Sequence, residues 1–285
     1  MSQLIERRFD CWGQLLAALE KPGTGMPILA LHGWLDNAAS FLPLMEHLAN
    51  PLVALDFSGH GLSGHRPEQA ATHYVDHVRD VLAVADQLGW QQFILLGHSM
   101  GAGVATLFAG CYPQRVAKLV LIEGIGPPTS PASDVAQTLR SAIDDMQALA
   151  DKKKPVYAHI DDAVEARTRG FGGLSHDCSR LLCERGLMPV EDGFTWRADP
   201  RLRLTSSLRL TEEQVEGFAR AIRSPTLLLV GEQGMGGQGH FEHRLAWIEG
   251  LQLVRLPGRH HLHMESPADV AQVIQGFLDG NTEQA

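Results

Sequence analysis

Residues 92–106 constrain the fold of this chain more than any other stretch. The apolar run Phe93-Ile94-Leu95-Leu96 ends in Gly97-His98-Ser99-Met100-Gly101, and Met100 to Cys111 follows with small and apolar side chains. Such a run, bounded by glycine, reads as a fully buried parallel strand. The stretch after it reads as a helix that stops before Tyr112-Pro113. A strand that turns directly into a helix forces the corner residue to positive φ and holds its side chain out beyond the sheet. Ser99 occupies that corner, and the glycines at 97 and 101 give the bend room. The helix start directs unpaired N–H groups and a partial positive charge at the same point. Ser99 is therefore read as a nucleophile.

A chain of 285 residues with 44% hydrophobic content can build one large α/β domain, or a core with an inserted lobe. Its net charge of −9, with no stripe of basic residues, argues against a nucleic-acid partner. The single basic run, Lys152-Lys153-Lys154 before Pro155, reads as a solvated helix end. Met1 to Arg8 holds no apolar segment of the kind a secretory signal needs, and no stretch reaches the length of a membrane span, so a cytoplasmic protein is expected. Cys11, Cys111, Cys178 and Cys183 show neither CxxC nor zinc-like spacing and are expected as reduced thiols in apolar surroundings.

Along the chain, two strands are predicted within residues 3–20, around Trp12-Gly13. Pro27 to His32 is a further apolar strand. It runs into His32-Gly33-Trp34-Leu35-Asp36-Asn37, a loop at the carboxyl end of a strand, where open α/β sheets carry their chemistry. The backbone N–H of Trp34 and that of Met100, the residue after the nucleophile, are the candidate oxyanion donors. Helices are predicted at Ser40–Ala49 and His73–Leu88, and strands at Leu52–Asp56 and Val116–Glu123, with Asp56 stabilising the glycine-rich turn after it. Residues 127–223 break this rhythm. Amphipathic patterns at about 133–150, 161–169, 177–185 and 211–223 predict a helical cap inserted into a core formed by 1–126 and 224–285. Phe171, Met188, Phe194 and Trp196 are its candidate pocket residues. From Ser224 the core resumes with strands at 226–231 and 251–256, a helix near 241–249 and a last helix from about Pro267. Alternating strands and helices predict a mostly parallel, doubly wound sheet.

A serine nucleophile needs a base, and the loop after the last strand offers His260, His261 and His263. A zinc site on this loop would need a carboxylate or thiolate at ligand spacing, and none is present. The motifs gathered so far resemble the α/β-hydrolase superfamily, whose usual ending is Gly-His-x-x-His-x-Glu-x-Pro. His260 to Pro267 keeps that spacing with Arg259 inserted after the glycine, so the resemblance implies His260 as the base and His263 as the second, non-catalytic histidine. The superfamily orders its triad as nucleophile, acid, histidine. Its usual Asp would stand at position 234, where this chain has glycine. Some members, haloalkane dehalogenases among them, carry the acid after the preceding core strand. Glu123 in Leu121-Ile122-Glu123-Gly124 matches that arrangement, and Glu232 is the alternate.

More narrowly, residues 32–37, 97–102, 192–200 and 258–267 together resemble the serine hydrolase-like proteins. The resemblance implies hydrolysis of an ester-type bond in a small, largely apolar substrate through an acyl-enzyme, with no cofactor or metal. Lactone, thioester or carbon–carbon bond hydrolysis and perhydrolysis are the alternatives on the same core, and a non-catalytic ligand-binding relative is the alternative of another class. Serine at position 99 argues against dehalogenase and epoxide-hydrolase chemistry, which uses Asp there.

Overall fold

The computed structural model describes residues 4–68, 70, 72–149 and 153–280. Strands β1 (Ile5–Cys11) and β2 (Gln14–Lys21) form a hairpin whose two turn residues, Trp12 and Gly13, both have positive φ. The central core follows as β3 (Ile28–Leu31), α1 (Leu42–Met45), β4 (Leu52–Leu55), α2 (Tyr74–Gln87), β5 (Phe93–His98), α3 (Met100–Cys111) and β6 (Val116–Ile122). The next segment contributes α4 (Val135–Leu149), β7 (Val156–Tyr157), α5 (Ile160–Thr168), α6 (His176–Gly186), β8 (Leu187–Val190), β9 (Gly193–Trp196) and α7 (Glu212–Arg220). The chain closes with β10 (Thr226–Gly231), β11 (Gln252–Leu256), α8 (Leu262–Glu265) and α9 (Pro267–Asp279). The predicted helix at 40–49 shrinks to a 3-10 turn and α1, and the one near 241–249 is a 3-10 turn at Glu242–Trp247.

The main sheet has the order β1-β2-β4-β3-β5-β6-β10-β11. β1 and β2 run antiparallel to their neighbours, and every pair from β4 to β11 is parallel. Strand side chains alternate between faces, and both faces here are covered. Leu29, Leu31, Phe93, Leu95, Leu119 and Leu121 pack with α2 and α3 on one side. Ile28, Ala30, Ile94, Leu96, Val120 and Ile122 pack with α1 and α9 on the other. From β3 the chain crosses to β4 on one side, then returns to β5 on the other, so the crevice beyond the carboxyl ends of β3 and β5 is the switch point of the sheet.

Residues 127–223 carry helices α4 to α7, as expected for a helical cap, together with a small sheet that the sequence did not announce. β7, β9 and β8 form a separate antiparallel sheet, its strands two to four residues long and too short to show a period in the sequence. Helix α7, predicted within the lobe, packs instead on the core helix α3: Ala219 and Ile222 join the core, and Gly110 leaves room for the Phe218 carbonyl. Periodicity announces that a helix has an apolar face without saying which surface it covers.

The lobe is fastened to the core by polar contacts, most of them buried. Arg167 Nη2 lies 2.7 Å from Asp36 Oδ1, and Arg185 Nη2 lies 2.8 Å from Asp56 Oδ2. Asn37 Nδ2 donates to Leu182 O at 2.9 Å, and Trp34 Nε1 donates to Leu202 O at 2.8 Å. Asp56 also accepts from the N–H groups of Ala38 and Leu62, so it stabilises the glycine-rich turn and anchors the lobe as well.

Lys152 of the basic run lies outside the described residues. Lys153 is exposed, and Lys154 Nζ donates to Trp196 O at 2.9 Å. The four cysteines are unpaired; Cys111 is exposed and the other three are buried. Among the described residues no helix is long and apolar enough to cross a membrane.

Candidate active site

Ser99 sits at the corner between β5 and α3 with φ 52° and ψ −111°. Its N–H donates to Ile122 O at 2.9 Å, and its carbonyl accepts from Gly103 N–H at 3.1 Å. The flanking glycines are steric requirements. A Cβ on Gly97 would stand 2.4 Å from Gly101 O, and one on Gly101 would stand 2.0 Å from Leu31 O. Met100 opens α3, where first-turn N–H groups have no acceptor within the helix. Trp34 lies in the β3 loop, in a turn closed by Asp36 N–H donating to Gly33 O at 3.2 Å. Leu35 beside it has φ 59°, a second strained position at the same crevice.

Glu123 follows β6 with φ 58° and is 1% exposed. Its Oε1 accepts from Gly231 N–H at 2.7 Å, while Oε2 accepts from Met235 N–H at 2.6 Å and from His260 Nδ1 at 3.0 Å. With both carboxylate oxygens accepting, the contact fits a His260 tautomer that carries its proton on Nδ1 and leaves the Nε2 lone pair free. A Cβ on Gly234 would stand 2.4 Å from both Glu123 carboxylate oxygens. The carboxylate thus reaches from β6 into the place that a side chain at 234 would fill. Glu232 is exposed; its N–H donates to Leu256 O, and its carboxylate touches no histidine among the described residues.

Ser99 and His260 line one cavity of about 350 Å³. Among the described residues Ser99 Oγ makes no hydrogen bond, and catalytic contacts of this kind commonly tighten only in the substrate complex. Trp34, Leu35, Tyr157, Phe171 and Trp196 supply apolar walls, while Asp36, Arg167, Arg203 and His261 supply polar ones. Phe171 stacks edge-on against the His260 ring at 5.1 Å. Met188 and Phe194, the other two candidate pocket residues, are not at this cavity. Phe194 packs with Ala163, Val164 and Cys183 inside the lobe, and Met188 pairs across β8 and β9 with Thr195.

Three polar residues around the cavity, His98, Asp36 and Arg167, were given no role by the sequence reading. His98 Nε2 donates to the His260 carbonyl at 2.9 Å and so positions the backbone of the candidate base. Asp36 Oδ2 lies 3.2 Å from His261 Nε2, and Oδ1 lies 2.7 Å from Arg167, which sets a second acid–histidine pair beside the first. Burial alone would raise the Asp36 carboxyl, but His261, Arg167 and His98 around it hold it well below the usual carboxylate range. The rings of His98 and His263 stack at 4.2 Å. Burial, with the neighbouring His261, pushes His263 down to about 3, and burial with the same cluster pushes His98 well below the usual histidine range. Both are neutral at physiological pH. Among the described residues no three His, Cys, Asp or Glu side chains are grouped as a metal site.

This geometry has known counterparts. A family model for the α/β-hydrolase fold matches residues 26–182. A serine hydrolase-like protein of Danio rerio is 31% identical over 280 residues, which cover 94% of this chain and 86% of that protein. The 2-(acetamidomethylene)succinate hydrolase of Mesorhizobium japonicum is 28% identical, with 96% of this chain and 95% of that one covered. The crystal structure of a hypothetical protein from Pseudomonas aeruginosa superposes with a TM-score of 0.92 at 46% identity, covering 96% of this chain and 99% of that one. With its serine at a strand–helix corner and its sheet switching direction beneath it, the chain belongs to the α/β-hydrolase family, among relatives named serine hydrolase-like proteins.

Proposed function

We propose that the protein is a carboxylesterase-like serine hydrolase working through an acyl-enzyme. The carrying observation is the 3.0 Å contact between Glu123 and His260 Nδ1, with Ser99 and His260 on the same cavity. In this reading Ser99 Oγ attacks an ester-type carbonyl as His260 Nε2 takes its proton, forming a tetrahedral oxyanion held by the N–H groups of Trp34 and Met100. The carbon–oxygen bond to the leaving alcohol then breaks, and His260 returns the proton to that oxygen. Water repeats the sequence on the acyl-enzyme and releases the acid. Glu123 stays ionised throughout, holding the imidazole tautomer and stabilising the imidazolium. Residues 127–210 act as the cap that walls the cavity.

The test is active-site labelling with a fluorophosphonate together with turnover of short p-nitrophenyl esters. Labelling is expected in the native protein and absent in Ser99→Ala, whose turnover falls to background with an unchanged circular dichroism spectrum. His260→Ala is expected to lose nearly all activity and His263→Ala to keep much of it. A folded protein that neither labels nor turns over any acyl compound would mark a ligand-binding relative instead.

A further inference from the structure

The cavity over Ser99 adjoins a second hollow at its aromatic wall. Tyr157, Trp196, Ala198 and Arg203 line both that cavity and the hollow of about 340 Å³, to which Lys153 and Lys154 contribute as well. Three cations therefore converge on one passage in a chain of net charge −9. The carboxylate lining the outer hollow, Asp199, acts on Lys154 but is engaged chiefly elsewhere. Arg201 binds it through Nη2 at 2.6 Å and Nε at 3.0 Å, and His65 lies 3.6 Å away. Inside the cavity Arg167 is likewise matched by Asp36. Arg203 and Lys153 are exposed and have no carboxylate partner among the described residues, while Lys154 is fixed by its bond to Trp196 O. Arg203 thus stands unmatched where the two hollows meet. A guanidinium there presents a planar fork of donors suited to the paired oxygens of a carboxylate or phosphate, and it offers nothing comparable to a neutral ester.

We propose that the physiological substrate carries an anionic group, carboxylate or phosphate, held at Arg203 with Lys153 and Lys154 while its carbonyl lies at Ser99. This deepens the acyl-transfer reading above and rests on it. Two sources share this chemistry: a carboxylate on the acyl part, and a phosphate on the leaving group. Three substrates separate them, namely p-nitrophenyl butyrate, the p-nitrophenyl half-ester of glutarate, and butyryl-coenzyme A.

The native enzyme is expected to show higher kcat/KM for one of the two anionic substrates than for the neutral ester. Arg203→Ala is expected to lower the ratio of anionic to neutral kcat/KM by about 10- to 100-fold, the range of a hydrogen bond to a charged group, and Arg203→Lys by less. Raising the ionic strength is expected to lower the same ratio. Loss with the half-ester assigns the group to the acyl part, and loss with the coenzyme A ester assigns it to the leaving group. An unchanged ratio in Arg203→Ala, or a native preference for the neutral ester over both others, overturns the proposal. Calorimetry on Ser99→Ala gives a readout independent of turnover: glutarate or coenzyme A should bind, and more weakly after Arg203→Ala. Binding of neither overturns the proposal, whereas failure of fluorophosphonate labelling in the native protein overturns the acyl-transfer reading.

Discussion

At the scale of single residues, the acid is the assignment that mutation tests most sharply. Glu123→Gln keeps the shape and removes the charge, so kcat is expected to fall by about 10⁴, as when the acid of a serine protease is made an amide. Glu232→Gln, on an exposed side chain, is expected to change kcat by less than about twofold. A large loss in the second and none in the first would reverse the assignment. Because a Cβ at 234 would meet the Glu123 carboxylate at 2.4 Å, Gly234→Asp alone is expected to be inactive, and Glu123→Gly combined with Gly234→Asp to recover part of the rate. No recovery in a soluble double variant would mean that position 234 cannot deliver an acid to His260. The glycine at 234 made the missing acid visible in the sequence, and Glu123 at a strand end supplied its replacement. Nothing local announced Arg167 as the partner of Asp36, or His261 as the partner of the same carboxylate. The members of those pairs stand 131 and 225 residues apart, and only the folded topology brings them together.

At the scale of elements, the strand–helix corner is held by backbone contacts with no slack. Gly101→Ala would place a methyl group 2.0 Å from Leu31 O, so it is expected to cost about 3 kcal/mol or more, the upper range of overpacking, and to yield little soluble protein. Gly217 in α7 is the control, since a Cβ there meets nothing within 4 Å. Gly217→Ala is expected to gain about 0.5–1 kcal/mol, or roughly 1–2 °C in Tm by thermal melting. A destabilised Gly217→Ala would mean that the α7 surface is already occupied. The corner, the parallel core strands and the lobe helices were legible because each carries a clear period or a glycine that only one backbone shape explains. The small sheet of β7, β8 and β9 was not, because two to four residues carry no period. The pocket residues divided for a related reason. Phe171 and Trp196 face the cavity while Phe194 fills the lobe interior, and aromatic character is the same in both settings.

At the scale of the whole molecule, buried neutral histidines govern acid stability. Burial lowers His32, His60, His98 and His263. Each is protonated more readily in the unfolded chain, where histidine titrates near 6.5, than in the fold. The unfolded state therefore binds more protons below that value. The histidine contribution is fully present above about pH 6.5 and is lost as pH falls towards each folded value, which for His263 is about 3. Each such group costs up to about 1.4 kcal/mol per pH unit in that window. The Asp36 carboxyl, held low by its partners, adds to the loss only below about pH 4. Tm is expected to stay level from about pH 7 to 9 and to drop steeply between about 6 and 4. A flat profile down to about pH 4 would show that water reaches these rings in the fold.

The buried ion pairs Arg167–Asp36 and Arg185–Asp56, at 2.7 and 2.8 Å, also bear on how a substrate would reach Ser99. Lifting the lobe as a hinged lid would break both pairs, whose carboxylate side chains are at most 1% exposed. On the reading proposed above, substrates enter along the flank between Trp196 and Arg203, beneath a lobe that these two pairs fasten to the core. An entrance of that kind would select by bore and by charge, and bulky polymeric esters are expected to be turned over far more slowly than short ones.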